Sequence, residues 1–179
     1  AAFQAALRAD LPAVTPADDL TPERYARLRA AAGHYRDDFM AGFSLEDCPA
    51  FDEWRFFQRE ELRHALARAL QQIQHTATAA AEWPTAIDAA RRRLALDTLN
   101  EPVHRDLMRL YAWAGHQAAA LRQYQECRRV LTEELGVEPE PETSALHDAI
   151  RAKRGPPAPV PAAPFMPRPQ TPPVVDAGA

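Results

Sequence analysis

Two stretches of this chain repeat one helical pattern at an offset of 34 residues, and that repetition constrains the fold more than any other feature. Superimposing them puts Ile73 on Leu107, Ala86-Ile87 on Ala120-Leu121, Ala90 on Tyr124, and Ala80-Ala81 on Ala114-Gly115. The large apolar residues recur at steps of three and four, the spacing of one face of an α-helix, and no strand-like alternation persists. The small residues fall at the joint, where two antiparallel helices must approach closely.

A period of 34 is that of tetratricopeptide helix-turn-helix units, each of which hides its apolar face only by stacking on the next. The chain is therefore expected to be all-α, with tetratricopeptide-like stacked helical hairpins; an irregular helical bundle is the competing architecture. About seven helices are expected. The first covers Ala2 to Asp10 through Phe3, Ala6 and Leu7. The second opens at Thr21-Pro22-Glu23, a hydroxyl cap followed by proline and an acid, and runs to Tyr35. A long third helix spans about Ala50 to Ala81, with Leu62, Leu66, Ala69, Leu70 and Ile73 on one stripe. The fourth runs from Thr85 to Leu99, and the fifth restarts at Asn100-Glu101-Pro102 and breaks at Gly115. The sixth carries Ala120, Leu121, Tyr124, Cys127 and Leu131 and ends at Gly136, and the last covers about Glu142 to Arg154. Residues 155–179 hold nine of the 17 prolines and two charges, so residues 1–154 form the expected domain and the remainder a Pro-rich unstructured C-terminal tail or linker.

Composition narrows the function classes. With 46% apolar and 26% charged residues and only six glycines, the 179-residue chain is neither collagenous, mucin-like nor disordered throughout. A net charge of -4 does not suit a free-standing DNA binder, although 20 of the 21 cations are arginine. Cys48 and Cys127 form no metal or redox motif. No apolar run approaches the length of a membrane span and no signal peptide is visible, so a cytoplasmic address without membrane contact is expected. The chain begins at Ala1 in sequence that reads as mid-helix, which points to a fragment with a neighbour upstream.

No enzyme chemistry is legible. Histidines at 34, 64, 75, 104, 116 and 147 form no i, i+4 pair and no HExxH frame, so they are expected to be solvated or capping. No phosphate loop and no glycine elbow around a serine is present. Adjacent acids at Asp18-Asp19, Asp37-Asp38 and Glu60-Glu61 read as solvated faces. Neither a catalytic residue, a metal site nor a cofactor is expected. Cys127 lies on an apolar stripe and is expected to be a small core residue, and Trp54, Trp83 and Trp113 to anchor packing between layers.

The arginines are the candidate interaction residues. Arg55, Arg59 and Arg63 follow one another at i, i+4 near the azimuth of Leu62 and Leu66, so they are expected to face the preceding layer. Like charges so placed repel unless answered, either by Asp37, Asp38 or Asp47, or by an anion or partner. Arg105 and Arg109, with His116, lie opposite the Leu107, Leu110, Tyr111, Ala114 stripe, the face that lines the groove of a stacked-hairpin superhelix. Arg91-Arg92-Arg93 fan across about 200° of helix and are expected to be solvated rather than to form one face.

Three runs carry a family resemblance: LRQYQECRRVLTEELGVEPEPETSALHDAI (Leu121 to Ile150), NEPVHRDLMRLYAWAGHQAAAL before it, and YRDDFMAGFSLEDCPAFDEWRFFQREELR (Tyr35 to Arg63). Together they resemble the bacterial transcriptional activator domain, the tetratricopeptide-like domain of Streptomyces antibiotic regulatory proteins and related large regulators. The likeness covers about residues 1 to 153, and its most specific part is the EELGVEPEPE joint, which an ordinary tetratricopeptide repeat lacks. The resemblance implies a non-enzymatic regulatory module downstream of a winged-helix DNA-binding domain of the same chain. Its implied work is self-association as a homo-oligomer, contact with that domain, or contact with RNA polymerase. DNA would be bound only through the parent protein. A sensor that binds a small anionic ligand or nucleotide in a groove with Arg105 and Arg109, and a generic tetratricopeptide adaptor, are the alternatives.

Overall fold

A computed structural model describes residues 21–35, 40, 48–155 and 157–159. The expected helix at Ala2 to Asp10 and most of the Pro-rich segment lie outside the described residues, as do Asp37, Asp38 and Asp47. Among the described residues there are six helices and no strand: α1 Pro22–Gly33, α2 Pro49–Ala79, α3 Trp83–Leu96, α4 Glu101–Trp113, α5 Gln117–Leu135 and α6 Pro141–Arg151.

Local chemistry sets the helix boundaries. Thr21 caps α1 by accepting the Arg24 N–H at 3.3 Å, and proline stands in the first turn of α1, α2, α3, α4 and α6, where no intrahelical N–H is required of it. Helix α3 stops at Leu96, short of the expected Leu99. Asp97 takes an extended conformation, and its carboxylate accepts the Leu99 N–H at 3.2 Å and an Asn100 amide hydrogen at 3.3 Å. Asn100 Oδ1 then accepts the Val103 N–H at 3.3 Å and starts α4. Short polar side chains have here outcompeted the helical backbone.

The 34-residue repeat is visible atom by atom at the joints. The Glu82 N–H donates to Ala77 O at 2.8 Å and the His116 N–H to Tyr111 O at 2.8 Å, with Ala81 and Gly115 left-handed at φ 56° and 80°. This is the Schellman turn, which satisfies carbonyls the helix leaves open. Helix α6 closes in the same way, with Arg154 donating to Ala149 O at 2.8 Å and Lys153 at φ 55°. It is thus the first helix of a third unit, displaced four residues beyond the period by the longer joint before it.

A left-handed backbone strains any residue with a Cβ by about 1–2 kcal/mol and costs glycine little. No atom crowds a Cβ built at Gly115. Gly115→Ala is therefore expected to lose about 1 kcal/mol through backbone strain alone, and Ala81→Gly to gain a similar amount, both read from urea unfolding. Opposite signs at these matched turns are the expected result.

Two core clusters follow one another along the stack. Leu28, Ala31 and Ala32 of α1 meet Leu62, Leu66, Leu70 and Ile73 of α2, and Ala89 of α3 joins them. Leu107, Met108, Leu110 and Tyr111 of α4 meet Ala86, Ala90, Ala120, Leu146 and Ile150. Tyr25 Oη donates to Glu82 at 3.3 Å and Arg92 donates to Ala32 O at 2.6 Å, so α1 runs beside α3 in the same direction. Trp83 and Trp113 meet at 6.0 Å over the second core, as expected. Trp54 is 47% exposed. The outer face of α6 is exposed at Glu142, Ala145, Asp148 and Arg151, a mainly polar surface that closes that end of the stack.

Helix α2 begins well before the point that the end of α3 reaches. Its 31 residues extend about 46 Å. The last turn of α3 reaches only as far as Arg63, whose guanidinium donates to Leu96 O at 2.7 Å. None of the α2 residues before Leu62 is buried.

Candidate functional site

The α4 face nominated from sequence divides in two. Arg105, expected on an open groove wall, has a side chain only 11% exposed. One of its nitrogens donates to Glu140 Oε2 at 2.6 Å and to Thr143 Oγ1 at 3.0 Å and lies 3.9 Å from Glu101 Oε1, while the other lies 3.8 Å from Glu142. Glu101 in turn accepts the Glu140 N–H at 2.7 Å. The guanidinium therefore ties α4 to the joint before α6, and its charge is answered. Arg109 remains at the surface, 37% exposed and 3.4 Å from Asp106, and His116 is exposed at the start of α5.

Three of the four arginines of α2, those nominated from sequence, have neighbours on or beside their own helix. Arg55 pairs with Asp52 at 3.1 Å, and Arg59 lies 3.5 Å from Glu60 with its guanidinium 5.4 Å from the Phe56 ring centroid. Arg63 donates to the end of α3, capping a carbonyl that the helix leaves without an intrahelical donor, while the acids expected of the preceding layer lie outside the described residues. Beside them stand exposed aromatics that were not singled out as a surface: Trp54, Phe56 and Phe57, the last 59% exposed. Phe51 touches Trp54 at 5.7 Å, and Phe56 meets Phe57 edge to face at 5.8 Å.

The triplet Arg91-Arg92-Arg93 fans out as expected, but it is not merely solvated. Arg91 donates to Tyr111 Oη at 2.7 Å, Arg92 to the α1 carbonyl of Ala32 at 2.6 Å, and Arg93 to Gln74 Oε1 at 2.6 Å with Asp106 at 3.5 Å. One turn of α3 thus fastens α1, α2 and α4. Burial pushes the Arg93 guanidinium below its ordinary value, opposed by Asp106. Burial, and after it Glu82, pushes the Tyr25 hydroxyl up.

His104, expected to be solvated, is buried and bonded at both nitrogens. Its Nε2 meets Thr98 O at 3.0 Å, and its Nδ1 lies 2.7 Å from Gln123 Nε2. A carbonyl can only accept, so Nε2 is the donor to Thr98 O.

Cys127 is a wholly buried core residue, as its stripe implied. Burial, with Glu101 next, pushes its thiol up to about 12. An acid whose folded value is raised keeps its proton while the unfolded chain gives it up. Its contribution is therefore complete below the unfolded value of 9.0 and is lost as pH rises toward 12. Cys127 is expected to contribute a fall of about 1.4 kcal/mol per pH unit across that window, and Cys127→Ala should remove this share while leaving the part due to Tyr25. Urea unfolding at a series of pH values measures it.

The family of the bacterial transcriptional activator domain matches residues 2–151. The chain belongs to that family. Comparison with curated proteins and with solved structures returns no match. This activator domain is a regulatory module, and the EELGVEPEPE joint that carried its resemblance supplies Glu140 and Glu142, two of the carboxylates around Arg105. Among the described residues of the activator domain no His, Cys, Asp or Glu group is placed to hold a metal ion, and no helix is long and apolar enough to cross a membrane.

Proposed function

We propose that this chain is the interaction module of a transcriptional activator, a rigid helical stack that holds a winged-helix DNA-binding domain of the same polypeptide in a defined geometry. On this reading it also meets RNA polymerase or a second copy of itself, acts without catalysis, works in the cytoplasm, and touches DNA only through the parent protein. The observation that carries the reading is family membership across residues 2–151. It is supported by a body in which Arg105 is spent on internal fastening and Trp54, Phe56 and Phe57 are exposed on α2. Arg109 and His116 are the part of the α4 face left to meet a partner. Differential contact at such surfaces is what biases one arrangement of the regulator over another.

The test is made in the whole regulator. The sequence preceding Ala1 is expected to encode a winged helix, and removal of Pro49–Arg151 is expected to abolish activated transcription while promoter occupancy persists. Equal activation without that segment overturns the reading. The generic adaptor reading gives way to the family assignment.

A second reading, a sensor of small anions or nucleotides, draws on a cavity of about 380 Å³ between α1, α2 and α3 that is lined by Arg29, Thr85, Asp88 and Arg92. A rise in melting temperature with inorganic phosphate or a nucleotide, lost in Arg29→Ala, would support it.

A further inference from the structure

The solvent face of α2 carries a second stripe, distinct from the one that enters the core. Its positions alternate by four and three residues along nearly the whole helix, the spacing of a coiled-coil seam. The N-terminal half of the stripe is Ala50, Trp54, Phe57 and Glu61; the C-terminal half is His64, Arg68, Gln71 and His75, and all eight are exposed. The first half is aromatic and ends on a carboxylate. The second half is built around a guanidinium and two imidazoles.

A helix seam with unlike halves has one two-fold arrangement that suits it. In a parallel pair each residue meets its own copy, which sets Glu61 on Glu61 and Arg68 on Arg68. In an antiparallel pair the halves cross. With the two-fold axis between residues 62 and 63, Phe57 of one copy meets Arg68 of the other, Trp54 meets Gln71, Glu61 meets His64 and Ala50 meets His75. A guanidinium over an aromatic ring is attractive, and so is an imidazole beside a carboxylate. Each contact occurs twice, as a self-complementary patch requires. Phe57, 59% exposed, and Trp54, 47% exposed, bring apolar area to such a pairing, whereas the outer face of α6 is mainly polar.

We infer that this face of α2 binds a second copy of the chain, as an antiparallel helix pair centred on Glu61 and His64. The inference rests on the reading that the module self-associates, and it adds where and in what symmetry.

Sedimentation equilibrium of the 179-residue chain over about 1–500 µM tests it. A monomer–dimer equilibrium is expected. The dissociation constant should rise more than about tenfold in Trp54→Ala with Phe57→Ala, and again in Arg68→Glu, but stay unchanged in Arg151→Glu on α6. Circular dichroism of each variant verifies that helix content is retained. Orientation is read by cross-linking in a Cys48→Ser background, Cys127 being wholly buried. Under mild oxidation a mixture of Glu61→Cys and His64→Cys chains should form a disulfide-linked dimer that neither variant forms alone. A disulfide between two Glu61→Cys chains overturns the antiparallel register. A dimer that the aromatic substitutions leave intact overturns this surface while self-association stands. A chain monomeric throughout overturns both, leaving the activation test to decide the function on its own.

Discussion

Arg105→Ala is expected to lower the stability of this domain by about 3 kcal/mol and its melting temperature by about 6–12 °C. The magnitude follows from which neighbours can recover water. Glu140 and Glu142 are more than half exposed and would rehydrate once the guanidinium is gone. Glu101 and Thr143 are buried and would not. Removing one partner of a buried pair costs about 3–5 kcal/mol because the other charge is stranded, whereas a surface pair is worth about 0–1 kcal/mol. Arg105 sits between these limits, nearer the buried one. Arg105→Lys keeps the charge but loses the planar fork that reaches Glu140 and Thr143 from one nitrogen and Glu142 from the other, so it should recover less than half of the loss. Arg109→Ala, at the surface beside Asp106, should stay within about 1 kcal/mol. Thermal and urea unfolding of the three variants decide the matter: an Arg105→Ala protein no weaker than Arg109→Ala would mean that the network does not hold the joint.

Arg105 also marks the limit of what the sequence discloses here. A helical wheel places it opposite Leu107, and that placement is right. What the wheel omits is the neighbour that comes to cover that face, the long joint between α5 and α6. A signal was present in the joint itself, where Glu138, Glu140 and Glu142 alternate through an extended proline-rich run and so call for cations close by. Arg128 answers the first at 3.0 Å and Arg105 the other two. The same reasoning explains Arg91, Arg92 and Arg93. Their angular spread was legible, but their acceptors lie on α1, α2 and α4, far away in sequence. His104 was misjudged because a single polar residue on an amphipathic helix carries no mark of what will bond it.

By contrast, the repeat was legible because matched positions do the same physical work. Ala86 and Ala120 are both buried where their hairpins approach closely, and Ala81 and Gly115 make the same left-handed turn. Helix ends announced by proline were found to within two residues. The end of α3 was misplaced by three because Asp97 and Asn100 act through side chains rather than through periodicity. The solvent face of α2 is hard to recognise in the sequence for a related reason: Trp54 and Phe57 have the residue types of a core, yet they lie on a stripe of the helix other than the one that carries Leu62, Leu66 and Ile73.

Leu107→Ala should match or exceed the loss at Arg105, about 3–5 kcal/mol. Leu107 is fully enclosed in the second core, and α4 packs against α3, α5 and α6. Truncation there removes transfer free energy and leaves a cavity that three neighbouring helices, pinned by Arg93, Arg105 and Gln123, are poorly placed to fill. Ile73, its counterpart one repeat earlier, packs in the first core, so Ile73→Val should cost only about 1 kcal/mol. Leu107→Met, which conserves volume, should cost less than about 1.5 kcal/mol. In a stack of units, stability is a sum of unit and interface terms, so loss at the central helix should also separate the unfolding of the α1–α2 end from that of α4 to α6. Urea unfolding followed both by far-ultraviolet circular dichroism and by the fluorescence of the Trp83–Trp113 pair measures both effects. Coincident transitions with a loss under about 1 kcal/mol would show that Leu107 is not the keystone of the second core.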